Sequence, residues 1–123
     1  MYTEVRPWGR FLQFSENQKN TVKVLYINPN EELSLQTHKH RAELWYFFDS
    51  ATVQLDKLLL DVREGQEIFV DIGTPHRIIS KGNTVRVLEM SIGEFDENDE
   101  ERIEDKYGRI IHKKNRSRST TTH

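Results

Sequence analysis

Histidine, carboxylate and amide side chains gather in one short stretch of this chain, residues 34–45, which reads SLQTHKHRAELW. A further histidine, His76, lies 33 residues after Glu43 and follows a Gly-Thr-Pro turn. Imidazole nitrogens and carboxylate or amide oxygens are ligands for first-row divalent cations. If neighbouring strands carry these groups, two histidines, one glutamate and one glutamine can meet at a single ion.

The elements that would position these groups are two strands joined by a turn. Side chains alternate along a strand, so Gln36, His38 and His40 are expected to share one face, and Glu43 and Trp45 another. If the two strands are neighbours, Glu43 meets His38 and Gln36. The alternative is that these histidines are ordinary strand and loop residues, and spacing alone leaves both interpretations open.

Composition limits the class of protein. The 123 residues correspond to one domain, and the absence of cysteine excludes disulfide scaffolds, thiolate zinc sites and thiol catalysis. A formal net charge of −2 argues against general nucleic-acid affinity. The chain shows no secretory leader and no apolar run of the ~20 residues that a membrane span needs. We therefore expect a cytoplasmic protein without nucleic-acid or membrane partners.

Short strands dominate the middle of the chain. β-branched, alternating or aromatic runs separated by turn residues predict strands at 21–27, 33–38, 44–48, 67–70, 77–79 and 85–92, and a hairpin at 52–60. Strands at this spacing, roughly 8–12 residues apart, are typical of an all-β sandwich or barrel.

One short helix is predicted after the strands. Asn98 can serve as its N-cap, Glu101 completes a capping box, and Gly108 stands where a helix would stop. The alternative is a solvated acidic loop, since 94–105 holds eight carboxylates. The domain is expected to span 1–112, and the basic polar tail, 113–123, is expected to be disordered.

The spacing of these residues resembles the two cupin motifs, which implies a double-stranded β-helix, or jelly-roll barrel. With Glu43 as the anchor of the first motif, its two histidine positions fall on Gln36 and His38. The glycine positions of that motif fall on Asn30 and Ser50. The second motif falls on Gly65, Asp71, Gly73, His76 and Ser80. Asn tolerates positive φ nearly as well as Gly, so Asn30 is a mild departure.

A narrower resemblance is to type II mannose-6-phosphate isomerases, which also occur as the C-terminal domain of bifunctional mannose-1-phosphate guanylyltransferases. It rests on Arg6-Pro7-Trp8-Gly9, Ser34 to Trp45, Pro75-His76-Arg77, Glu89-x-Ser91-x-Gly93 and Arg102-x-Glu104-Asp105-x-Tyr107-Gly108-Arg109. The resemblance implies that one divalent metal ion is held by Gln36, His38, Glu43 and His76. Zinc is the first choice, with Mn, Fe, Co and Ni as alternatives.

Further roles follow from the chemistry of isomerisation. Arg41 is the candidate for stabilising the phosphate or the enediolate, and His40 is the candidate proton shuttle. Trp45 could floor a sugar pocket, and Tyr107 and Arg109 could close its substrate end. Each has a structural alternative: a salt bridge for Arg41, a solvent-facing side chain for His40, core packing for Trp45, and docking of the tail for the last two.

The function implied by the resemblance is metal-dependent isomerisation of a sugar phosphate, most simply of mannose 6-phosphate to fructose 6-phosphate. A cupin that binds metal or sugar without turnover is the alternative, because Leu44 stands where the family often has histidine. Another cupin enzyme, a dioxygenase or a nucleotide-sugar epimerase, is a third possibility. We also expect Trp8 to be a buried anchor. The resemblance to cupins further implies a homodimer, formed through edge strands and the N-terminal segment.

Overall fold

The structure is a computed structural model that describes residues 1–109, and these form eleven β-strands and no helix. The strands are β1 Tyr2–Arg6, β2 Gly9–Gln13, β3 Asn20–Ile27, β4 Leu35–Thr37, β5 Arg41–Phe47, β6 Ala51–Leu55, β7 Leu58–Val62, β8 Glu67–Val70, β9 His76–Ile79, β10 Val85–Gly93 and β11 Glu101–Glu104. The predicted tail at 113–123 and the domain end at 112 lie outside the described residues.

Two antiparallel sheets form the body of the domain. One has the order β3-β10-β5-β8 and the other β11-β4-β9-β6-β7. Apolar side chains from both sheets pack together in one core, which includes Ile27, Phe47, Val53, Ile78 and Val87. This arrangement confirms the predicted all-β jelly roll.

Turn chemistry follows the sequence closely. Asn30 has a φ of 63°, in the left-handed region that the cupin motif normally gives to glycine. The predicted hairpin is present as β6 and β7, paired from Ala51 with Val62 to Leu55 with Leu58. Asp56, in its turn, has a φ of 55°, a conformation that Asp adopts more readily than most residues.

The predicted helix between Asn98 and Gly108 is wrong, because this segment forms β11, which pairs with β4. A helix cap contributes only ~1 kcal/mol. Pairing instead satisfies the backbone groups along the edge of β4, which would otherwise stay exposed. The Asp99 carboxylate, near the expected cap, accepts hydrogen bonds from the backbone N–H groups of Lys39 and His40, both at 2.8 Å.

The expectation of a buried Trp8 is also wrong. Trp8 lies at the turn of the β1–β2 hairpin and is 73% exposed. That hairpin forms a two-stranded sheet of its own. The N-terminal segment reaches the body of the domain through Phe14, whose ring packs against Tyr46 with centroids 5.3 Å apart. No helix of the described residues is long and apolar enough to cross a membrane.

Candidate metal centre

Strand pairing brings two of the predicted ligands side by side. Gln36 on β4 and His76 on β9 are direct partners, so their side chains point to the same face of the sheet. On the other sheet, β5 projects Glu43 towards the same interior space. All three residues are fully or almost fully buried.

The closest approach is among His38, Glu43 and His76, whose ligand atoms all lie within 4.8 Å of one another. His38 Nε2 is 3.3 Å from one oxygen of Glu43, and His76 Nε2 is 3.6 Å from the other. The two imidazole rings are 4.8 Å apart between centroids. One carboxylate therefore lies between two imidazole nitrogens.

The second nitrogen of each ring is held by a backbone carbonyl. His38 Nδ1 lies 2.7 Å from the carbonyl oxygen of Asp99, and His76 Nδ1 lies 2.7 Å from that of Thr74. A carbonyl only accepts hydrogen bonds, so each Nδ1 carries a proton and each Nε2 faces Glu43. This is how metal-binding histidines are normally oriented by their surroundings.

The loop before β9 is tied to the same place. The N–H of Gly73, whose φ is 79°, donates to the carbonyl oxygen of His38 over 2.8 Å. This bond joins the Gly-Thr-Pro turn to the first histidine. It explains how two histidines far apart in sequence, His38 and His76, come together.

Burial keeps the side chain of His38 uncharged. It lowers the pKa of His38 to about 4; the carboxylate of Glu43 acts in the opposite direction, while His76 and Arg41 lower it further. A neutral imidazole is the form that binds a metal ion. The electrostatics therefore match the hydrogen bonding.

Arg41 lies against the ligand atoms and is fully buried. Its Nε donates to Glu43 over 3.2 Å, and its Nη2 lies 3.3 Å from His38 Nε2. The guanidinium stacks on the ring of Phe95, with Cζ 4.6 Å from the centroid, and donates to the carbonyl oxygen of Asp96. Arg41 thus connects the ligand cluster to the loop at 94–100.

Trp45 lies beneath the cluster and is completely buried. Its indole N–H donates to Glu43 over 3.2 Å, and its ring packs edge-on against His76. Glu89 is paired with Trp45 on the neighbouring strand, and burial raises the pKa of Glu89. Trp45 therefore orients the carboxylate of Glu43 and is part of the packed interior.

Three predicted site residues lie away from the cluster. His40 is exposed because β4 ends at Thr37, so the alternation expected to place it beside His38 does not continue. Tyr107 donates to Glu31, and the guanidinium of Arg109 pairs with Asp105 at 2.7 Å. The Tyr107 bond ties the C-terminal segment to the body of the domain, whereas the Arg109 pair lies within that segment. The roles of both residues stay predictions.

Sequence reasoning missed three residues that adjoin the cluster. Asp99 orients His38, and Arg102 is the direct partner of Gln36. The side chain of Glu100 is 1% exposed and lies 2.8 Å from Arg102. The signals were the acidic run at 94–105, which the sequence predicts to be a helix or a solvated loop, and, for Arg102, the motif Arg102-x-Glu104-Asp105.

The donor set fits a divalent cation. Two imidazole nitrogens and a carboxylate are a common ligand set for zinc and other first-row ions. Gln36 is placed to add an amide oxygen, and its role as a ligand stays a prediction.

Solved structures identify the class of fold. A cupin domain of Schizosaccharomyces pombe Cnp3 superposes with a TM-score of 0.59 at 15% identity, covering 67% of this chain and 61% of that one. A cupin-2 domain protein from Rhodospirillum rubrum gives 0.59 at 13% identity, covering 71% and 60%. The chain is therefore a cupin in fold.

The family is narrower than the fold. Residues 1–105 match the family model described as Mannose-6-phosphate isomerase C-terminal, and the chain belongs to this family. The mannose-1-phosphate guanylyltransferase ManC of Salmonella typhimurium is 32% identical over 89% of this chain and 24% of its own length. The alginate biosynthesis protein AlgA of Pseudomonas aeruginosa is 35% identical over 85% and 22%. The chain spans about a quarter of the length of these relatives.

Proposed function

We propose that this protein is a metal-dependent sugar-phosphate isomerase that interconverts mannose 6-phosphate and fructose 6-phosphate. The observation that carries the proposal is the convergence of His38, Glu43 and His76 inside a domain of this family. A divalent ion held there would polarise the substrate's carbonyl oxygen and stabilise the negative charge that develops on it.

The remaining contribution comes from the side chains around the cluster. Arg41 offers a permanent cation, already desolvated, beside the reacting centre, where its charge acts more strongly than in water. Trp45 and the two backbone carbonyls fix the orientation of the ligands. The exposed position of His40 gives no support to its role as proton shuttle.

The test is a coupled assay for fructose 6-phosphate from mannose 6-phosphate. The protein should be purified without an affinity tag, stripped with a chelator, and reloaded separately with Zn, Mn, Fe, Co or Ni. We expect no turnover in the stripped protein and turnover with at least one ion. Absence of turnover with every ion, in protein shown to contain that ion, would reject the isomerase.

Burial of the cluster favours a second candidate, a cupin that binds metal or sugar without turnover. The three clustered side chains are no more than 2% exposed, and residues 94–102 lie next to them. An isomerase must open this region to admit substrate. Retained binding of sugar phosphate without turnover under any ion would support the binder.

We also propose a homodimer. The outward residues of edge strand β3, Val22, Val24 and Tyr26, are between 45% and 70% exposed, and a second copy could cover them. Sedimentation analysis should give a dimer for the wild type and a monomer for Val24→Lys, with Lys57→Glu, in the hairpin turn, as the control. A monomeric wild type would reject the dimer.

The cytoplasmic location and the absence of nucleic-acid and membrane partners stay predictions.

A further inference from the structure

The pairing of β11 with β4 extends the row of inward side chains by one residue. Arg102 is opposite Gln36, and Gln36 is opposite His76, so the three side chains share one face of the sheet. The side chain of Arg102 is only 7% exposed. A guanidinium therefore lies in the same interior row as the ligand cluster, two strands away from His76.

The counter-ion of Arg102 comes from an irregular loop rather than from either sheet. Glu100, at the end of the 94–100 segment, places a carboxylate oxygen 2.8 Å from Arg102 Nη2. Its side chain is more deeply buried than any other acidic side chain of that loop. Burial raises the pKa of Glu100 to about 7 although Arg102, Arg41 and Arg109 all lower it, which shows how unfavourable the site is for an ionised carboxylate.

We propose that the Glu100 carboxylate occupies the position taken by the phosphate group of the sugar phosphate, and that Arg102 is the residue that binds this phosphate. The inference rests on the proposed function. It assigns the anionic end of the substrate to a residue outside the metal ligands and Arg41.

Three features support the replacement of the Glu100 carboxylate by a phosphate group. A guanidinium binds carboxylate and phosphate with the same two-pronged geometry, so one anion can replace the other. Neighbouring strands are ~4.8 Å apart, which puts Arg102 roughly 10 Å from His76, a span suited to an open-chain six-carbon sugar with its phosphate at the far end. Phosphate carries more charge than a carboxylate and therefore gains more from the nearby arginines.

The structure also provides space into which the side chain of Glu100 could move. A cleft of about 240 Å³ borders the loop and is lined by Thr37, His40, Asp96, Glu100 and Glu101, among others. The loop has no regular secondary structure between the end of β10 and the start of β11. An outward movement of Glu100 into this cleft would return its carboxylate to water and free Arg102 for the substrate.

The experiment measures binding of inorganic phosphate, mannose 6-phosphate and mannose to the metal-free full chain by calorimetry. Removing the metal ensures that an ion does not bind the phosphate. We expect Glu100→Gln to bind both phosphates at least about tenfold more tightly than the wild type, because the internal competitor is neutral. Arg102→Gln, alone or combined with Glu100→Gln, should abolish this binding, and mannose should bind equally weakly to all forms.

A matched pair at the opposite end of β10 serves as the control. Asp49 and Arg86 form a two-pronged surface salt bridge, with bonds of 2.9 and 3.1 Å. Asp49→Asn and Arg86→Gln should leave phosphate binding unchanged. The proposal is overturned if Glu100→Gln brings no gain, or if the double variant binds phosphate as tightly as Glu100→Gln does.

Two further measurements keep the proposal testable if a variant does not fold or if the protein is an active enzyme. If a variant does not fold, hydrogen exchange on the wild type decides: phosphate should speed exchange of amides in 94–100, and unchanged or slowed exchange would overturn the proposal. In an active enzyme, Arg102→Lys should raise KM for mannose 6-phosphate more than it lowers kcat. Phosphate binding through Arg102 without turnover would reject only the isomerase, whereas turnover with an unaltered KM would reject only the phosphate site.

Discussion

Arg41 donates hydrogen bonds towards the lone pairs that a cation would use. Its guanidinium contacts both His38 Nε2 and one oxygen of Glu43. A metal ion and this side chain therefore compete for the same two atoms. Arg41 would have to shift for a metal ion to reach both atoms, and its existing contacts with Phe95 and with the carbonyl of Asp96 would keep it beside the site.

This competition leads to a prediction for Arg41→Gln. We expect the variant to bind zinc at least as tightly as the wild type, because a competing cation is gone, and to lose about 100-fold or more in turnover. Zinc affinity is measured with a chromophoric competitor, and turnover with the coupled assay. A tenfold loss of zinc affinity would show instead that Arg41 supports the ligands.

The two neighbouring histidines provide a matched comparison of site and surface. His38→Ala should leave the purified protein with little bound metal and no turnover, since it removes one of three clustered donors. His40→Ala, two residues away and exposed, should keep both. Metal content per chain by elemental analysis and thermal unfolding check the result; equal metal content in the two variants would refute the ligand assignment.

β5 joins the chemistry to the hydrophobic core within one element. Its inward residues are Arg41, Glu43, Trp45 and Phe47, so one face runs from a cation and a carboxylate to aromatic packing. Trp45 belongs to both regions, since it donates to Glu43 and packs against Phe47. The site is therefore held by the same strand that anchors the core, which limits its movement.

Gly93, at the end of β10, lies opposite Arg41 and close to the backbone that leads into β5. Its φ is 110°, and a Cβ placed on it would lie 2.9 Å from the backbone oxygen of His40. We expect Gly93→Ala to lower the free energy of unfolding by about 1–3 kcal/mol through backbone strain and this clash.

The control for that prediction is Gly82→Ala. A Cβ at Gly82 would meet no atom within 4 Å, so the change should alter stability by no more than about 0.5 kcal/mol. Urea unfolding monitored by tryptophan fluorescence measures both. Equal effects of the two substitutions would show that the close approach at Gly93 has no energetic weight.

At the scale of the whole molecule, the titrations of two buried groups, Glu100 and His38, change the free energy of unfolding in opposite directions as the pH rises. The folded-state pKa of Glu100 is raised to about 7, so its contribution to stability is fully present below the unfolded value of 4.5 and is lost as the pH rises towards 7. The pKa of His38 is lowered to about 4 by burial, so its contribution is present above 6.5 and is lost as the pH falls. The two effects partly cancel between these values.

The substitution Glu100→Gln should separate the contribution of Glu100 to stability from that of His38. Relative to the wild type in chelator, the variant should gain about 1–3 kcal/mol between about pH 5 and about pH 8, because only the wild type must bury a carboxylate that ionises in this range. The His38 contribution is common to both proteins and drops out of the difference. Urea unfolding at the two pH values measures it, and a difference independent of pH would contradict the assignment to Glu100.

The strands, their alternation and the ligand candidates were predictable from the chain because each depends on nearby residues. β8 was predicted with its observed bounds, and residue type and spacing mark Gln36, His38, Glu43 and His76 as candidate ligands. Local signals were misleading where a distant partner decides. The 98–108 segment carries helix caps, but the open edge of β4 offers backbone pairing that outweighs them.

Which side chains meet was decided only by the tertiary structure. No spacing rule places the carbonyl of Asp99 on His38, or Arg102 in line with Gln36 and His76. The same holds for His40, which follows the histidine pattern in the sequence but lies outside because its strand ends three residues earlier. Residue types set which chemistry is available, whereas the register between distant strands sets which of those residues share one desolvated interior.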